Sequence, residues 1–339
     1  MSGHDDHGQN GRAAVLEHLR LDQRFVLSTH ENPDGDALGS LVGMQSILTA
    51  LGKDSVMLMS ADEFPLPYEY RFVPLDGLVS VAPADLDERT IVFLDCGNID
   101  RNPADALKAT GGTILNIDHH HDNSMFGTVN HVVPEASCTA ELVWDLMKGL
   151  GVAPTVPMAE ALYVGLVTDT GRFMYENTGR GAHLMAAEVV GAGVDVHAIY
   201  RRLYEGRPFS KLRLLARGLS NAERHDDGRL TITRLDRRDY TETGAEETHS
   251  EGVVDHLRAV EGTVVAGLAR ELLGEGREGH YKVSLRATDD RVDVSAVARS
   301  QGGGGHRRAA GFSTQLSWEE LVAFLREAVA SQLQAVDLV

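Results

Sequence analysis

Residues 27–40 constrain the fold of this chain more than any other segment. His30, Asp34 and Asp36 lie within seven positions of one another, directly after an apolar run with β character. A surface turn could explain residues 32–35 alone, because Asn, Pro, Asp and Gly satisfy turn geometry without any function. Three side chains of metal-binding types placed so close together instead indicate a metal site.

Similar side chains follow three further apolar runs. The runs and the side chains after them are 91–94 with Asp95, 113–117 with Asp118, His119 and His120, and 163–167 with Asp169. In an open parallel sheet, ligands bind in the crevice outside the carboxyl ends of the strands. We therefore expect the four segments to converge on one site.

The type and number of these side chains indicate two ions. The candidate ligands are His30, Asp34, Asp36, Asp95, His119 and Asp169. A structural or catalytic zinc takes three or four protein ligands, among which Cys and His dominate. Four carboxylates and two imidazoles without a thiolate favour hard or borderline ions, so Mn²⁺ ranks first and Mg²⁺ second.

Composition narrows the class of protein. The chain has 339 residues, enough for two domains with their own cores. Its net charge of −18 disfavours binding of long duplex nucleic acid, which relies on an extended basic surface, but it is compatible with short nucleotide substrates. Two cysteines cannot form a disulfide framework, and no apolar run reaches eighteen residues. We expect a cytoplasmic protein without a membrane partner.

The alternation of apolar runs with helical patterns predicts an α/β fold with a mainly parallel sheet. Predicted strands are 25–29, 55–59, 91–95 and 113–117, and predicted helices are 36–51, 139–149, 157–167, 180–190 and 195–204. A connector helix is expected within 206–226, because apolar residues recur there at helical spacing. Strands near 229–235, 263–269 and 281–286, with helices at 294–300 and 318–334, predict a smaller second α/β domain.

The ligand segments resemble, in order and spacing, the four motifs of the DHH phosphoesterases. The matching residues are His30-x3-Asp34-x-Asp36, Asp95, Asp118-His119-His120 and Asp169-Thr170-Gly171. Near the other end, Gly302 to Phe312 resembles the DHHA1 signature, and Ser284-Leu285-Arg286 resembles the arginine segment that precedes it. The resemblance spans residues 12–335 and is strongest to the stand-alone nanoRNase and pAp-phosphatase type, which includes hydrolases of cyclic and linear dinucleotides.

This resemblance implies a disordered tail over residues 1–11, a DHH catalytic domain over 12–205, a connector helix over 206–226 and a DHHA1 substrate-binding domain over 227–339. It also implies metal-dependent hydrolysis of nanoRNA or pAp to mononucleotides, by in-line attack of a hydroxide shared by two ions.

The resemblance assigns roles to the ligand residues as well. Asp95 would bridge the ions; His30 and Asp34 would bind one of them, and Asp36, His119 and Asp169 the other. We expect Asp118 to orient a metal-bound imidazole, because such imidazoles usually donate their second N–H to a carboxylate or carbonyl. His120 would contact the phosphoryl oxygen or protonate the leaving ribose oxygen. His121, a third consecutive histidine, is expected to be a bystander.

The glycine run near the C-terminus predicts a phosphate-binding segment. Gly303, Gly304 and Gly305, followed by His306, suggest a nest of backbone N–H groups, although glycine runs are often only flexible loops. Arg286 would add a contact to a non-scissile phosphate, and Arg307 or Arg308 could help or could be plain surface charges. Arg101 is a weaker candidate for the scissile phosphate.

Other readings stay open at this point. The alternatives are a cyclic di-AMP or pApA phosphodiesterase, a RecJ-like single-strand exonuclease, a family II pyrophosphatase and a non-catalytic nucleotide sensor. The pyrophosphatase would need a basic Ser-Arg-Lys-Lys-type signature, which we do not find. Similar proteins typically dimerise, so we expect a homodimer.

Overall fold

The computed structural model describes residues 5–102, 104–108 and 111–336. By packing, the chain divides into a first unit, Met1–Glu205, and a second unit, Gly206–Val339. The helices are α1 (Asp5–Leu21), α2 (Gly35–Ala50), α3 (Asp105–Lys108), α4 (Thr139–Gly149), α5 (Val156–Asp169), α6 (Arg180–Gly191), α7 (Val196–Tyr204), α8 (Phe209–Ser220), α9 (Arg237–Thr243), α10 (Val253–Arg258), α11 (Val294–Arg299) and α12 (Trp318–Val336). The strands are β1 (Arg24–Ser28), β2 (Asp54–Leu58), β3 (Leu78–Val79), β4 (Thr90–Leu94), β5 (Ile114–Asp118), β6 (Val129–Val132), β7 (Glu223–His225), β8 (Leu230–Leu235), β9 (Val265–Glu271), β10 (Tyr281–Ala287), β11 (Gly304–His306) and β12 (Ala309–Thr314).

The sheet of the first unit is parallel throughout, in the order β3-β2-β1-β4-β5-β6, which confirms the predicted class. Neighbouring side chains of its central strands alternate between two apolar layers, as the two-residue period of a strand requires. Val26 and Ile91 pack in one layer, whereas Leu27 and Val92 pack in the other, larger one. Because all strands run the same way, the residues that follow β1, β4 and β5 meet at one edge of the sheet.

Helices α2 and α5 form the tightest helix pair behind this edge. A Cβ atom on Gly39 would lie 2.3 Å from the Ala161 carbonyl oxygen, and one on Gly43 would lie 2.4 Å from the Leu162 side chain. A Cβ atom on Gly165 of α5 would lie 2.8 Å from both Ala140 and Asp36. The absence of side chains at these glycines lets the two backbones approach closely, which brings the first turn of α2 beside the end of α5.

The second unit has a mixed sheet in the order β11-β12-β10-β9-β8-β7. Only β8 and β9 pair in parallel; the other pairs are antiparallel. One face packs on α11 and α12, through residues such as Val297 and Leu325, and the other face packs on α8 and α10.

Two predicted segments differ in the structure. Residues 5–11 of the predicted disordered tail belong to α1, while residues 1–4 lie outside the described part of the chain. The predicted connector over 206–226 is a helix only at Phe209–Ser220, and β7 begins at Glu223. Helix α8 packs into the core of the second unit through Leu214, because its apolar face has a partner there.

Among the described residues, no single helix is long and apolar enough to cross a membrane. The bent pair α6 and α7, which meet at 115°, passes the same test by length and composition only.

Candidate active site

The six predicted ligands lie together in the first unit. His30 follows β1, Asp34 is the N-cap of α2, Asp36 lies in its first turn, Asp95 follows β4, His119 follows β5 and Asp169 ends α5. Asp169 follows the apolar run 163–167, which lies in the predicted helix 157–167, and it approaches the strand edge from α5. The convergence that the sequence suggested therefore combines three strand ends with two helices.

Their ligand atoms form two groups of three, in each of which the atoms lie within 4.8 Å of one another. One group consists of His30, Asp34 and Asp95, and the other consists of Asp36, His119 and Asp169. Asp95 also groups with His119 and His120. Asp95 thus lies between the histidines of both groups, as a ligand shared by two ions would.

Both imidazoles turn Nδ1 to a backbone carbonyl and Nε2 to the site. Nδ1 of His30 is 2.7 Å from the Glu31 carbonyl oxygen, and Nδ1 of His119 is 3.4 Å from the Ala136 carbonyl oxygen. A carbonyl can only accept, so Nδ1 is a donor in each ring, and Nε2 is the nitrogen left to bind a cation. These Nε2 atoms lie 3.5 Å and 3.7 Å from the carboxylate of Asp95.

Asp36 is fixed by the N-terminus of α4. One oxygen accepts from the Thr139 N–H at 2.6 Å and the other from the Ala140 N–H at 2.8 Å. These N–H groups have no partner within their own helix, and the helix dipole favours a negative charge at this end. The Thr139 hydroxyl in turn donates to Asp95 at 3.1 Å. The N-terminus of α4 therefore orients two of the candidate ligands, Asp36 and Asp95.

Asp95 has an uncommon backbone conformation and a stabilised charge. Its φ of 58° is rare outside glycine, asparagine and aspartate, and its side chain is only 2% exposed. Burial would raise the pKa of this carboxyl, but the hydrogen bond with His30 and the charges of the three neighbouring histidines outweigh burial and lower it. Asp95 is therefore an anion at the centre of the site.

The remaining carboxylates repel one another. Burial and the charges of Asp95, Asp169 and Asp34 raise the pKa of Asp36 well above its usual value. Burial also raises the pKa of Asp169 to about 7, although His119 opposes this shift. A divalent cation at each group would relieve this repulsion, so the donor set fits hard or borderline cations.

Asp118, the predicted orienting carboxylate, contacts the imidazole of His120: Nδ1 of His120 donates to Oδ1 of Asp118 at 2.7 Å. Burial would lower the pKa of His120, but this hydrogen bond and the charges of Asp95 and Asp118 raise it to about 9. His120 therefore carries a proton beside the ligand groups, while His121 is exposed.

Two carboxamides that sequence reasoning missed hold the acids in place. Asn123 donates to Oδ2 of Asp118 at 2.5 Å, and Asn177 donates to Oδ2 of Asp169 at 3.0 Å. Asn123 is itself fixed by Asn116 of β5 at 2.9 Å. The position of Asn123, three residues after His120 in a turn, is the only signal in the sequence, and asparagine is ordinary in turns.

Arg101 lies close to this site. Its carbonyl oxygen accepts from the Glu31 N–H at 2.6 Å. Its positive charge opposes protonation of His30 and His120, which means that the guanidinium is near both imidazoles. An anionic substrate in the site would meet this charge.

The predicted phosphate-binding residues belong to the second unit. Arg286 lies on β10, with its guanidinium 3.6 Å from Asp255. Within the glycine run, Gly304 to His306 form the edge strand β11, because they pair with residues 309–311 of β12. Gly303 is crowded by the Gly311 carbonyl oxygen, so a larger residue would not fit there. Arg308 pairs with Asp290, as a surface charge does.

The comparisons with known proteins agree with this geometry. Residues 24–166 match the DHH family, N-terminal domain, and residues 227–335 match the DHHA1 domain. A relative from Thermus thermophilus, named bifunctional oligoribonuclease and PAP phosphatase NrnA, is 35% identical and covers 91% of this chain and 90% of its own. A relative from Streptococcus mutans, named probable bifunctional oligoribonuclease and PAP phosphatase NrnA, is 26% identical, over 88% of this chain and 91% of its own.

A crystal structure of an exopolyphosphatase-related protein from Bacteroides fragilis has the same fold over nearly the whole chain. Its TM-score is 0.85 at 25% sequence identity, with 95% of this chain and 96% of that chain covered. With both domain matches in order and a relative at 35% identity along almost its full length, the chain belongs to the DHH phosphoesterase family and carries a DHHA1 domain after its DHH domain.

Proposed function

We propose that this protein is a two-metal phosphoesterase that hydrolyses short oligoribonucleotides, pAp or both to mononucleotides. The single observation that supports this most is the pair of ligand groups on either side of Asp95. The names of the relatives from Thermus thermophilus and Streptococcus mutans support the same substrates. We propose Mn²⁺ as the ion, with Mg²⁺ second, because the donor set has oxygen and imidazole ligands and no thiolate.

The residues around the groups would have distinct roles. His30, Asp34 and Asp95 would hold one ion, and Asp36, His119 and Asp169 the other, because the ligand atoms of each group lie within 4.8 Å of one another. Asp95 would be shared by both ions. When bound, two such ions lower the pKa of a water molecule and neutralise charge on the phosphoryl oxygens. His120, protonated and fixed by Asp118, would donate its proton to the leaving ribose oxygen.

The second unit would hold the part of the substrate that is not cleaved. Arg286, the glycines 303–305 and His306 would bind a non-scissile phosphate, and Arg101 of the first unit would approach the scissile one. The net charge of −18 supports short substrates, since a few local cationic groups are enough for them.

One experiment separates this proposal from its alternatives. Purified protein with Mn²⁺ or Mg²⁺ is given nanoRNA, pAp, pApA, cyclic di-AMP and a long single strand. Preference for nanoRNA or pAp supports the proposal, preference for cyclic di-AMP or pApA supports the dinucleotide phosphodiesterase, and processive digestion of the long strand supports the exonuclease. Binding without turnover would indicate a sensor. A cytoplasmic location and a homodimer are further expectations.

The metal centre is tested by Asp95→Ala. Losing the shared carboxylate should lower turnover by several orders of magnitude, because removal of one essential member of such a site removes most of its rate enhancement. Asp76→Ala is the matched control, since Asp76 is an exposed acid far from the ligands in sequence and absent from both groups. Circular dichroism checks the fold of both variants. Near-normal turnover by Asp95→Ala in Mn²⁺ would refute the two-metal proposal.

A further inference from the structure

The turn that follows the ligand Asp169 has an unusual backbone. Gly171, Arg172 and Phe173 have φ angles of 54°, 65° and 64°, so three successive residues are left-handed. Arginine and phenylalanine adopt this conformation at a cost of about 1 kcal/mol or more each, and such strain persists only where surrounding contacts enforce it. The enforcing contacts are therefore informative.

Hydrogen bonds to Thr170 hold the turn in this conformation. Its hydroxyl accepts from the Phe173 N–H at 3.2 Å, and its carbonyl oxygen accepts from the N–H groups of Met174 and Tyr175, both at 3.0 Å. After the turn, Asn177 donates to the carbonyl oxygen of Asp169, at 3.1 Å, and to the carboxylate of Asp169. The turn is thus tied to the ligand at both ends.

The turn sorts its side chains into two directions. Phe173 stacks on His183 of α6 with 5.3 Å between ring centres, and Arg172 lies 5.1 Å above the ring of Tyr204 on α7. Met174 and Tyr175 face outward, at 79% and 50% exposure. A single exposed aromatic residue is ordinary on a protein surface, but here a strained and anchored turn fixes its position.

Tyr175 is held with its ring against the backbone of Gly171. A Cβ atom on Gly171 would lie 2.4 Å from the end of the Tyr175 ring, so only glycine leaves space for the ring there. Two residues of chain span at most ~7 Å, which keeps this contact within reach of Asp169. An exposed aromatic side chain therefore lies beside one of the two ligand groups.

We propose that Tyr175 is a stacking platform for the nucleobase of the nucleotide that the ligand groups bind. The proposal rests on the proposed function, since it assumes a nucleotide substrate. Every nucleobase has a π-face, and aromatic side chains stack on it without reading its identity. Tyr175 thus binds any nucleotide, and it favours purines over pyrimidines because their π-face is larger. The exposed Met174 beside it adds an apolar edge.

The test compares substrates with and without a base. The manganese-loaded protein is given pAp and ribose 3′,5′-bisphosphate, which carries the same phosphates but no base. Tyr175→Ala should raise the KM for pAp roughly fivefold to a hundredfold, as loss of a base–aromatic stack does, and leave the KM for the bisphosphate unchanged. Tyr175→Phe, which keeps the ring and removes the hydroxyl, should retain the wild-type KM for pAp.

Phe209→Ala is the matched control, because Phe209 is a 75% exposed aromatic residue in the second unit. It should leave both KM values unchanged. An equal rise for both substrates in Tyr175→Ala would overturn the platform and indicate that Tyr175 supports the ligand Asp169. An unchanged KM for pAp would overturn it as well.

A failure of the proposed function would look different. The wild-type protein itself would then hydrolyse neither pAp nor nanoRNA in any metal. In that case calorimetric titration of AMP into the manganese-loaded proteins tests the platform without turnover. Weaker binding of AMP to Tyr175→Ala than to Tyr175→Phe supports the platform, and equal binding refutes it.

Discussion

Two asparagines hold different halves of the candidate site. Asn123 donates to Asp118, which holds the protonated His120, whereas Asn177 donates to the ligand Asp169. The first contact bears on the proposed proton donor and the second on an ion. The two side chains are chemically the same, so removing each in turn compares the same loss at two places. The Asn123 variant tests proton transfer, and the Asn177 variant tests metal binding.

Replacing Asn123 with Ala should lower kcat on a ribonucleotide about tenfold to a hundredfold while metal affinity stays normal. The reason is that a buried carboxylate loses a partner, which costs ~1–3 kcal/mol, and His120 loses its fixed orientation. An aryl phosphodiester, whose leaving group needs no proton, should be much less affected. Steady-state kinetics on both substrates and calorimetry with Mn²⁺ give the three values.

Asn177→Ala is the counterpart to this variant. It should weaken Mn²⁺ binding roughly tenfold to a hundredfold, as loss of a group that orients a ligand commonly does, and saturating Mn²⁺ should restore much of its turnover. If instead Asn123→Ala weakened metal binding and Asn177→Ala did not, the two roles would be wrongly assigned.

The sequence indicated the ligand residues but not the residues that orient them. His30, Asp95 and His119 stand out in the sequence because each is an ionisable residue directly after an apolar run. Ionisable groups next to buried strands are uncommon unless they bind something. Asn123 does not stand out, since its role depends on Asn116 of β5, and a contact between separate elements leaves no local pattern. For the same reason, the sequence does not reveal that the partner of Asp118 is His120.

At the scale of the helices, α2 and α5 carry ligands of the same group because they pack almost backbone to backbone. Asp36 is in the first turn of α2, and Asp169 is the last residue of α5. The glycine side of α2, Gly35, Gly39 and Gly43, faces α5 at every fourth residue. The distance between α2 and α5 thus sets the distance between Asp36 and Asp169.

Gly39→Ala should therefore reduce both stability and metal affinity. The added methyl group would lie 2.3 Å from the Ala161 carbonyl oxygen, which belongs to the backbone and cannot rotate away. Overpacking of this kind costs ~1–3 kcal/mol of unfolding free energy. Urea unfolding and Mn²⁺ calorimetry measure the two effects.

Gly191→Ala provides the control for this change. Gly191 ends α6, and a Cβ atom there would meet nothing within 4 Å. The substitution should leave metal affinity unchanged and stabilise the fold by ~0.5–1 kcal/mol, the usual advantage of alanine in a helix. A Gly39→Ala protein as stable as Gly191→Ala would show that α2 and α5 can separate without cost.

Long periodic elements were predictable, and short or context-dependent ones were not. Helices α2, α4 and α5 and the central strands β1, β4 and β5 have strong apolar patterns that agree with their burial. The glycine run forms β11 only because β12 supplies its hydrogen bonds. Helix α1 includes the last seven residues of the predicted disordered tail, and its Gly11 lies against the Asn130 carbonyl of β6, a contact that sequence alone does not reveal.

At the scale of the whole molecule, the two units have different proposed roles: the first cleaves the substrate and the second binds its non-scissile phosphate. All six candidate ligands belong to the first unit, and Arg286 with the glycine run belongs to the second. The new β pattern that begins near residue 229 predicted a second unit, and in the structure each unit has its own core. The domain roles themselves stay a prediction, which a variant in the second unit can test without touching a ligand.

His306→Ala is that variant. If the second unit holds a non-scissile phosphate, the substitution should lower kcat/KM for pAp or a dinucleotide about tenfold to a hundredfold, since a charge-assisted hydrogen bond contributes ~1.5–3 kcal/mol. A simple aryl phosphodiester has no second phosphate to be held, so its hydrolysis should change much less. Manganese affinity should also stay normal, because the ligands belong to the first unit.

His256→Ala is the control in the same unit, since His256 is an exposed histidine on α10 outside the glycine run. It should affect neither substrate. Equal losses on the dinucleotide and the aryl ester in His306→Ala would refute phosphate holding and put His306 in the reaction itself. A loss of unfolding free energy with both activities intact would mean that β11 needs His306 for its structure. The two activities and the free energy of unfolding together therefore show whether His306 acts in recognition, in the reaction or in folding.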